Sequence, residues 1–280
     1  MDNNREELKN KWNKFWGEAD KIILEGETKN NNSWYALSWE MGYEYWKEVF
    51  DKYSPGKKML EVGAGVAKIS YYIAGLGYDC TMLDNSSKAL DVAKANFNNA
   101  GLKGTFVIGN AEGMPFESNT FDLLYSGGLL NYFDDVHPFI EEMSRVLKPG
   151  GLFSATIITS KKFSCQTLGD IQIFLSRLLM NIIKGKFKDI IKNSRRNFPF
   201  YENSIKLKEY KKILDKCGIN VMVSTGANPF PAIALPKILR PVYAGFMKVL
   251  MPFWKWFDRS NSKFTEIWGI SYNIYGIKRV

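Results

Sequence analysis

Residues 57–70 read KKMLEVGAGVAKIS: an apolar run, Met59-Leu60-Glu61-Val62, that breaks into Gly63-Ala64-Gly65 and then resumes as a helix-like pattern from Ala67 to Leu76. A strand that ends in small residues and opens a helix lets the backbone turn tightly and approach a ligand without side-chain obstruction. Alone, such a turn is also compatible with an ordinary strand–helix connection.

Outward from this turn the chain keeps one rhythm. Tyr78–Leu83 is a second strand ending at Asp84, Ser87–Ala100 a helix, Thr105–Ile108 a third strand and Phe121–Tyr125 a fourth. Pro138–Leu147 is a helix stopped by Lys148-Pro149-Gly150-Gly151, and Leu152–Ile158 is a fifth strand. Strands alternating with helices at this spacing imply βαβ units, a parallel sheet and right-handed crossovers. Asp84 ends the strand after the glycine turn, at the offset where an acidic side chain meets ribose hydroxyls. Asn85 and Ser86 follow it and could cap the next helix. Asn110-Ala111-Glu112 follows strand three, and Ser126-Gly127 ends strand four. All these groups fall at carboxyl ends of parallel strands, where open α/β sheets bind ligands.

The motifs LEVGAGVA, MLDNS, GNAEGMPFESNTFDLLYS and RVLKPGGLFSATI, in this order, resemble the core of the class I, Rossmann-like S-adenosylmethionine-dependent methyltransferases of the type-11-like kind. YENSIKLKEYKKILDKCGI and WGISYNIYGIKRV are similar to the late helix and final antiparallel strand of that family. The resemblance implies a doubly wound, mostly parallel seven-stranded sheet whose last strand is antiparallel, with S-adenosylmethionine as methyl donor, S-adenosylhomocysteine as product, and no metal. It implies that Glu61, Gly63, Ala64 and Gly65 shape the wall around the methionine part, and that Asp84 and Asn85 meet the ribose. It also implies that Asn110, Ala111 and Glu112 border adenine, and that Ser126 and Gly127 face the sulfonium. Ala67 and Asn110 depart from the commoner glycine and aspartate. A nicotinamide dehydrogenase fingerprint requires G-x-G-x-x-G, and Lys68 occupies its last position.

The flanks are expected to carry acceptor choice. The residues divide into N-terminal cap helices (1–56), a cofactor-binding core (57–159), a helical lid insertion (160–203) and a completion of the sheet (204–280) that includes a lid segment, 226–262. Glu6–Asp20 carries Leu8, Trp12, Phe15 and Trp16 at helical spacing, and Trp34–Tyr53 is a second aromatic-rich helix. Phe163–Ile191 is expected as one or two helices, Ser204–Cys217 as an amphipathic helix, Ile219–Val223 and Trp268–Ile277 as strands. Trp34, Tyr35, Trp39, Phe230, Trp254 and Trp256 are candidates for an apolar acceptor cavity, or for the lid's own core.

Charge is unevenly placed. Residues 1–160 hold 16 Lys/Arg against 22 Asp/Glu, residues 161–280 hold 22 against 7, and the whole chain is +9. A basic half attracts anionic partners, and Lys192, Arg195 and Arg196 could hold an anionic group of a small-molecule, lipid or peptide acceptor. The 160–200 and 229–257 stretches could instead rest on an anionic membrane surface. Nucleic acid fits less well, because no RNA-binding module accompanies the basic half. Three scattered cysteines and a single histidine, His137, disfavour disulfides and metal sites and suit a reducing cytoplasm. No run of about 18 apolar residues and no secretion signal is evident.

The expected reaction is O-methylation, a carboxylate being an acceptor that needs no base. N- or C-methylation, RNA methylation and a catalytically silent cofactor-binding protein remain the alternatives. No base is obvious: Tyr132 and Asn131, after strand four, are the candidates, a packing tyrosine being the plainer reading.

Overall fold

A computed structural model describes residues 9–14, 34–158, 163–186, 203–233 and 235–280. The side chains of residues 34–36 and 237 lie outside that set. Residues 9–14 are helical. The helix α1 (Trp34–Tyr53) then leads to β1 (Lys58–Val62), α2 (Lys68–Ala74), β2 (Asp79–Asp84), α3 (Ser87–Asn99), β3 (Thr105–Ile108) and β4 (Phe121–Gly127). After α4 (His137–Val146) come β5 (Leu147–Ile158), α5 (Cys165–Ile183), α6 (Leu207–Lys216) and β6 (Ile219–Ala227). Three short helices, α7 (Arg240–Val249), α8 (Met251–Arg259) and α9 (Lys263–Trp268), precede β7 (Ser271–Lys278).

The seven strands form one sheet in the order β3-β2-β1-β4-β5-β7-β6. β1 pairs in parallel with β2 and β4, and β7 lies antiparallel between β5 and β6. The order reverses between β1 and β4, which opens a crevice at the carboxyl ends of these two strands. The glycine turn that follows β1 sits in it.

Strand alternation divides the core. Leu60, Val62, Leu124 and Phe153 face a layer built from α4 and α6, with Ile140, Met143, Tyr210 and Leu214. Met59, Leu123, Tyr125 and Leu152 face the other side, where Trp46 and Phe50 of α1, Ile73 of α2 and Phe97 of α3 pack. A third, smaller cluster joins Leu37 and Met41 of α1 to Phe230, Ala244, Met247 and Trp254. Phe230 and Trp254 are therefore packed in a core of their own, against α1.

The differences from expectation have simple causes. β5 begins at Leu147, because Leu147 pairs with Phe121 before a bulge lets Leu152 pair with Leu123; the Lys-Pro-Gly-Gly stretch is therefore inside the strand, at its irregular start. β6 runs on to Ala227, beyond Val223, held by its ladder with β7. The proline-broken stretch after Asn228 is helical because Pro241 and Pro252 stand in first turns, where no N–H is needed. β7 is buried on both faces over Ser271–Gly276, so no polar alternation shows. Among the described residues no helix is long and apolar enough to cross a membrane.

Candidate active site

The local chain geometry at the end of β1 is left-handed three times over: φ is 67° at Gly63, 53° at Gly65 and 56° at Ala67. Glycine adopts this region freely, whereas alanine loses about 1 kcal/mol or more there. The position of Ala67, just before α2, therefore explains why glycine is the commoner residue in the resembling family. At Gly63 an added Cβ would lie 2.9–3.1 Å from the Leu129 side chain, so the wall has no room for one.

Asp84 ties this loop to the end of β2. The Gly65 N–H donates to Asp84 Oδ2 (2.8 Å) and the Ser86 N–H donates to Asp84 Oδ1 (2.8 Å). Each carboxylate oxygen keeps further acceptor capacity. Burial raises the Asp84 carboxyl above its ordinary value, opposed by these amide bonds. Glu61 is buried and accepts from the Ser70 N–H (2.9 Å). Burial, with Asp84 nearby, pushes its carboxyl up to about 7. The Ser86 side chain caps α3, accepting from Ala89 N–H, which leaves Asn85 exposed at the rim.

These residues open onto one cavity of about 430 Å³. Of the candidates from sequence, Glu61, Gly63, Ala64, Gly65, Asp84, Asn85, Asn110, Ala111 and Gly127 line it. Two do not. Ser126 is 1% exposed with its hydroxyl unpaired, because alternation along β4 sends Tyr125 and Gly127 to the cavity and Ser126 to the opposite face. Glu112 lies off the wall in the loop after β3, where its side chain accepts from the Asn110 amide (3.3 Å).

Of the base candidates, Tyr132 lines the cavity and packs edge-on against Trp12 (5.3 Å, 71°). Asn131 does not line it: the residue is fully buried and neither atom of its amide has a partner. His137 is the first residue of α4, its N–H donating to Asp135 Oδ1 (3.0 Å). Among the acceptor candidates Trp39 lines the cavity, Phe230 and Trp254 belong to the third core cluster, and Trp256 points outward. The side chains of Trp34 and Tyr35, and all of Lys192, Arg195 and Arg196, lie outside the described residues.

A second half of the cavity was missed by sequence reasoning. Trp46 Nε1 donates to Thr156 Oγ1 (3.1 Å), Tyr125 Oη donates to the same atom (3.3 Å), and Thr156 Oγ1 donates to Asn273 Oδ1 (3.0 Å). Beside this relay stand Asn228, Ser271 and Asp258. Asp258, on α8, is 2% exposed and accepts from Asn228 N–H and Trp254 Nε1, both at 3.0 Å. Burial pushes its carboxyl up to about 7. Its position after the proline-broken segment, with no motif around it, left no signal in the sequence. Among the described residues no group of three or more His, Cys, Asp or Glu side chains could hold a metal ion.

Comparison with known proteins bears on the same elements. A methyltransferase-domain family model matches residues 60–155, from β1 through β5. A demethylmenaquinone methyltransferase of Bacillus cytotoxicus is 30% identical over 174 residues, covering 59% of this chain and 70% of that protein. The chain belongs to the class I S-adenosylmethionine-dependent methyltransferases. An uncharacterized methyltransferase of Synechocystis is 38% identical over 103 residues, 36% of this chain and 47% of that protein, so the chain spans about half the length of this relative. A methyltransferase structure from Clostridium acetobutylicum shares the fold, with a TM-score of 0.56, 13% identity and coverage of 96% of this chain and 99% of that one. Within the methyltransferase fold, the residues around the crevice fit the family's cofactor chemically. Cβ-free positions open the wall at Gly63, Gly65 and Gly127, the Asp84 carboxylate suits a diol, and the Glu61 carboxyl suits a cation.

Proposed function

We propose that this methyltransferase transfers a methyl group to oxygen on a small, uncharged, largely apolar acceptor held against Trp39, Trp46 and Tyr125. The observation that carries the reading is the composition of the acceptor half. Aromatic surface surrounds a compact polar group, Thr156, Asn228, Asp258 and Asn273, and the only carboxyl there among the described residues is Asp258. A pocket of apolar walls with a few convergent polar atoms selects an apolar molecule and fixes its orientation.

The anionic acceptor expected from the basic second half finds little support in this wall. Besides the phenols of Tyr125 and Tyr132, its described ionisable side chains are the carboxyls of Glu61, Asp84 and Asp258 against the ammonium of Lys68. A carboxylate brought among them would meet like charge.

S-adenosylmethionine supplies an electrophilic methyl on positive sulfur. The chain's contribution is to align the acceptor oxygen, exclude water and take the proton released. Asp258 is the group for the last task. A carboxyl poised near 7 is half ionised at neutral pH, which suits a general base. Its two existing hydrogen bonds hold the side chain in place without consuming all its lone pairs. Asn273, its amide oxygen fixed by the Thr156 hydroxyl, orients the acceptor, and Glu61, ionised beside a cation, favours the cofactor's positive end. The name of the Bacillus relative, which points to a quinone-type acceptor, supports an apolar substrate. A relative named as a sterol 4-C-methyltransferase, of Caenorhabditis elegans, favours a second reading, methylation at carbon, for which the same carboxylate would remove the proton.

The test is incubation with methyl-labelled cofactor and a lipid-soluble cell extract. Label passing into an organic phase as a base-stable ether, with S-adenosylhomocysteine formed in equal amount, supports O-methylation. Label recovered only in base-labile esters or in the aqueous phase refutes the apolar acceptor, and no S-adenosylhomocysteine with any extract refutes turnover.

A further inference from the structure

The large apolar side chains that stand exposed fall in two segments, 163–183 and 238–267; elsewhere among the described residues only Leu76, Ile108, Ile158, Met222 and Val280 do so. Their spacing is helical. On α5, Leu168, Ile171, Leu175, Leu179 and Ile182 form one stripe, and only Cys165 and Gly169 of that helix are buried. On α7, Val242, Phe246 and Val249 point outward while Ala244 and Met247 pack inward. A helix of a soluble domain normally shows water its polar face. Here the apolar stripe is outside.

The two segments are joined by a chain of rings. Phe163 meets Trp268 (6.1 Å), Trp268 stacks on Phe264 (6.2 Å), and Phe264 meets Phe257 (5.8 Å). Phe257 touches Phe253 (6.0 Å), which touches Trp256 (5.7 Å) and Phe230 (6.2 Å), and Phe230 reaches Phe246 on α7 (6.2 Å). Phe163, Phe246, Trp256 and Phe264 are each about half exposed. The result is an outer aromatic ridge on α7, α8, α9 and the turn before α5, its exposed rings linked through the buried Phe257 and Phe230. Exposed cations stand beside it, Arg240 and Lys248 at the two ends of α7 and Lys263 on α9, and Lys184 and Lys186 lie past the far end of α5.

We infer that this ridge docks the protein on an anionic lipid bilayer, with the aromatic side chains in the headgroup layer and the flanking cations on lipid phosphates. Tryptophan and phenylalanine beside lysine and arginine is the composition of interfacial helices. Charge decides between a bilayer and a second copy of the chain. Residues 161–280 carry 22 Lys/Arg against 7 Asp/Glu, and a two-fold contact would bring the same cations face to face. An anionic surface is attracted by them instead.

Flotation with phosphatidylglycerol–phosphatidylcholine vesicles, against pure phosphatidylcholine, tests this on the full chain. The wild type is expected to float with the anionic vesicles and to be released at about 0.5 M salt. Phe246→Ser with Trp256→Ser should weaken binding at least about tenfold. Arg240→Ser with Lys248→Ser should weaken it about fivefold per cation, both pairs melting within a few degrees of wild type. No flotation with anionic vesicles, unchanged affinity in both variants, or a dimer in sedimentation without vesicle binding would each overturn the inference. None of these readouts depends on the acceptor or on turnover.

Discussion

Replacing Asp84 by Asn changes one atom and separates two roles of that side chain. Its carboxylate accepts from the Gly65 and Ser86 amides, both at 2.8 Å. An asparagine keeps one acceptor, so one backbone N–H must face an amide NH₂. Leaving a buried donor unpaired costs about 1–3 kcal/mol. Against this, the neutral amide escapes the burial that raises the carboxyl, so the net loss of stability should be only about 1 kcal/mol. Ligand binding has no such offset. The two hydrogen bonds from ribose hydroxyls to a carboxylate contribute about 1.5–3 kcal/mol each, and a neutral acceptor keeps about half. The loosened Gly65 loop adds to the loss. Titration calorimetry with S-adenosylhomocysteine should show a Kd raised roughly 10- to 100-fold, while urea unfolding shifts modestly. A Kd within about twofold of wild type, at any stability, would refute the idea that Asp84 clasps the sugar.

Other consequences follow from the same site. Gly63→Ala forces a side chain into φ 67° and against Leu129; it should cost about 2 kcal/mol in unfolding and weaken cofactor binding, and an unperturbed variant would show that the turn relaxes. Asp258→Asn should lower kcat about 10²- to 10⁴-fold and abolish the acidic limb of the pH–rate profile, with S-adenosylhomocysteine affinity intact; activity within about threefold would remove Asp258 as base. Glu61 has a folded value of about 7 against roughly 4.3 unfolded. The folded state then holds the extra proton, so its contribution is full below about 4 and is lost as pH rises through 7. Thermal midpoints should decline from pH 5 to 8, and Glu61→Gln should flatten that decline; an equal slope in the variant would assign it elsewhere.

The part of the cavity at the ends of β1, β2 and β4 was legible because its signals are local. A glycine turn after a strand, an acid at the next strand end and a small-residue end to β4 are each set by a few neighbouring residues. Ser126 shows the limit of reading motifs without faces: period-two alternation in Phe121–Tyr125 already places Tyr125 and Gly127 together, and the serine behind them. The acceptor half is non-local. Trp46, Thr156, Asn228, Asp258 and Asn273 meet only after β7 inserts between β5 and β6, and none of them stands in a recognisable pattern. The tryptophans showed the same ambiguity: Trp39, Trp254 and Trp256 look alike in sequence, yet one lines the cavity, one fills the core cluster against α1 and one faces outward.

On α8 the inward and outward residues are interleaved: Phe253 and Trp256 belong to the outer ridge, Trp254, Phe257 and Asp258 to the interior. A one-residue shift would turn the following helix by about 100°, carrying Asp258 out of the cavity and an outer aromatic into it. Homologues that diverge in this segment should therefore differ by replacement and keep its length, whatever acceptor they take.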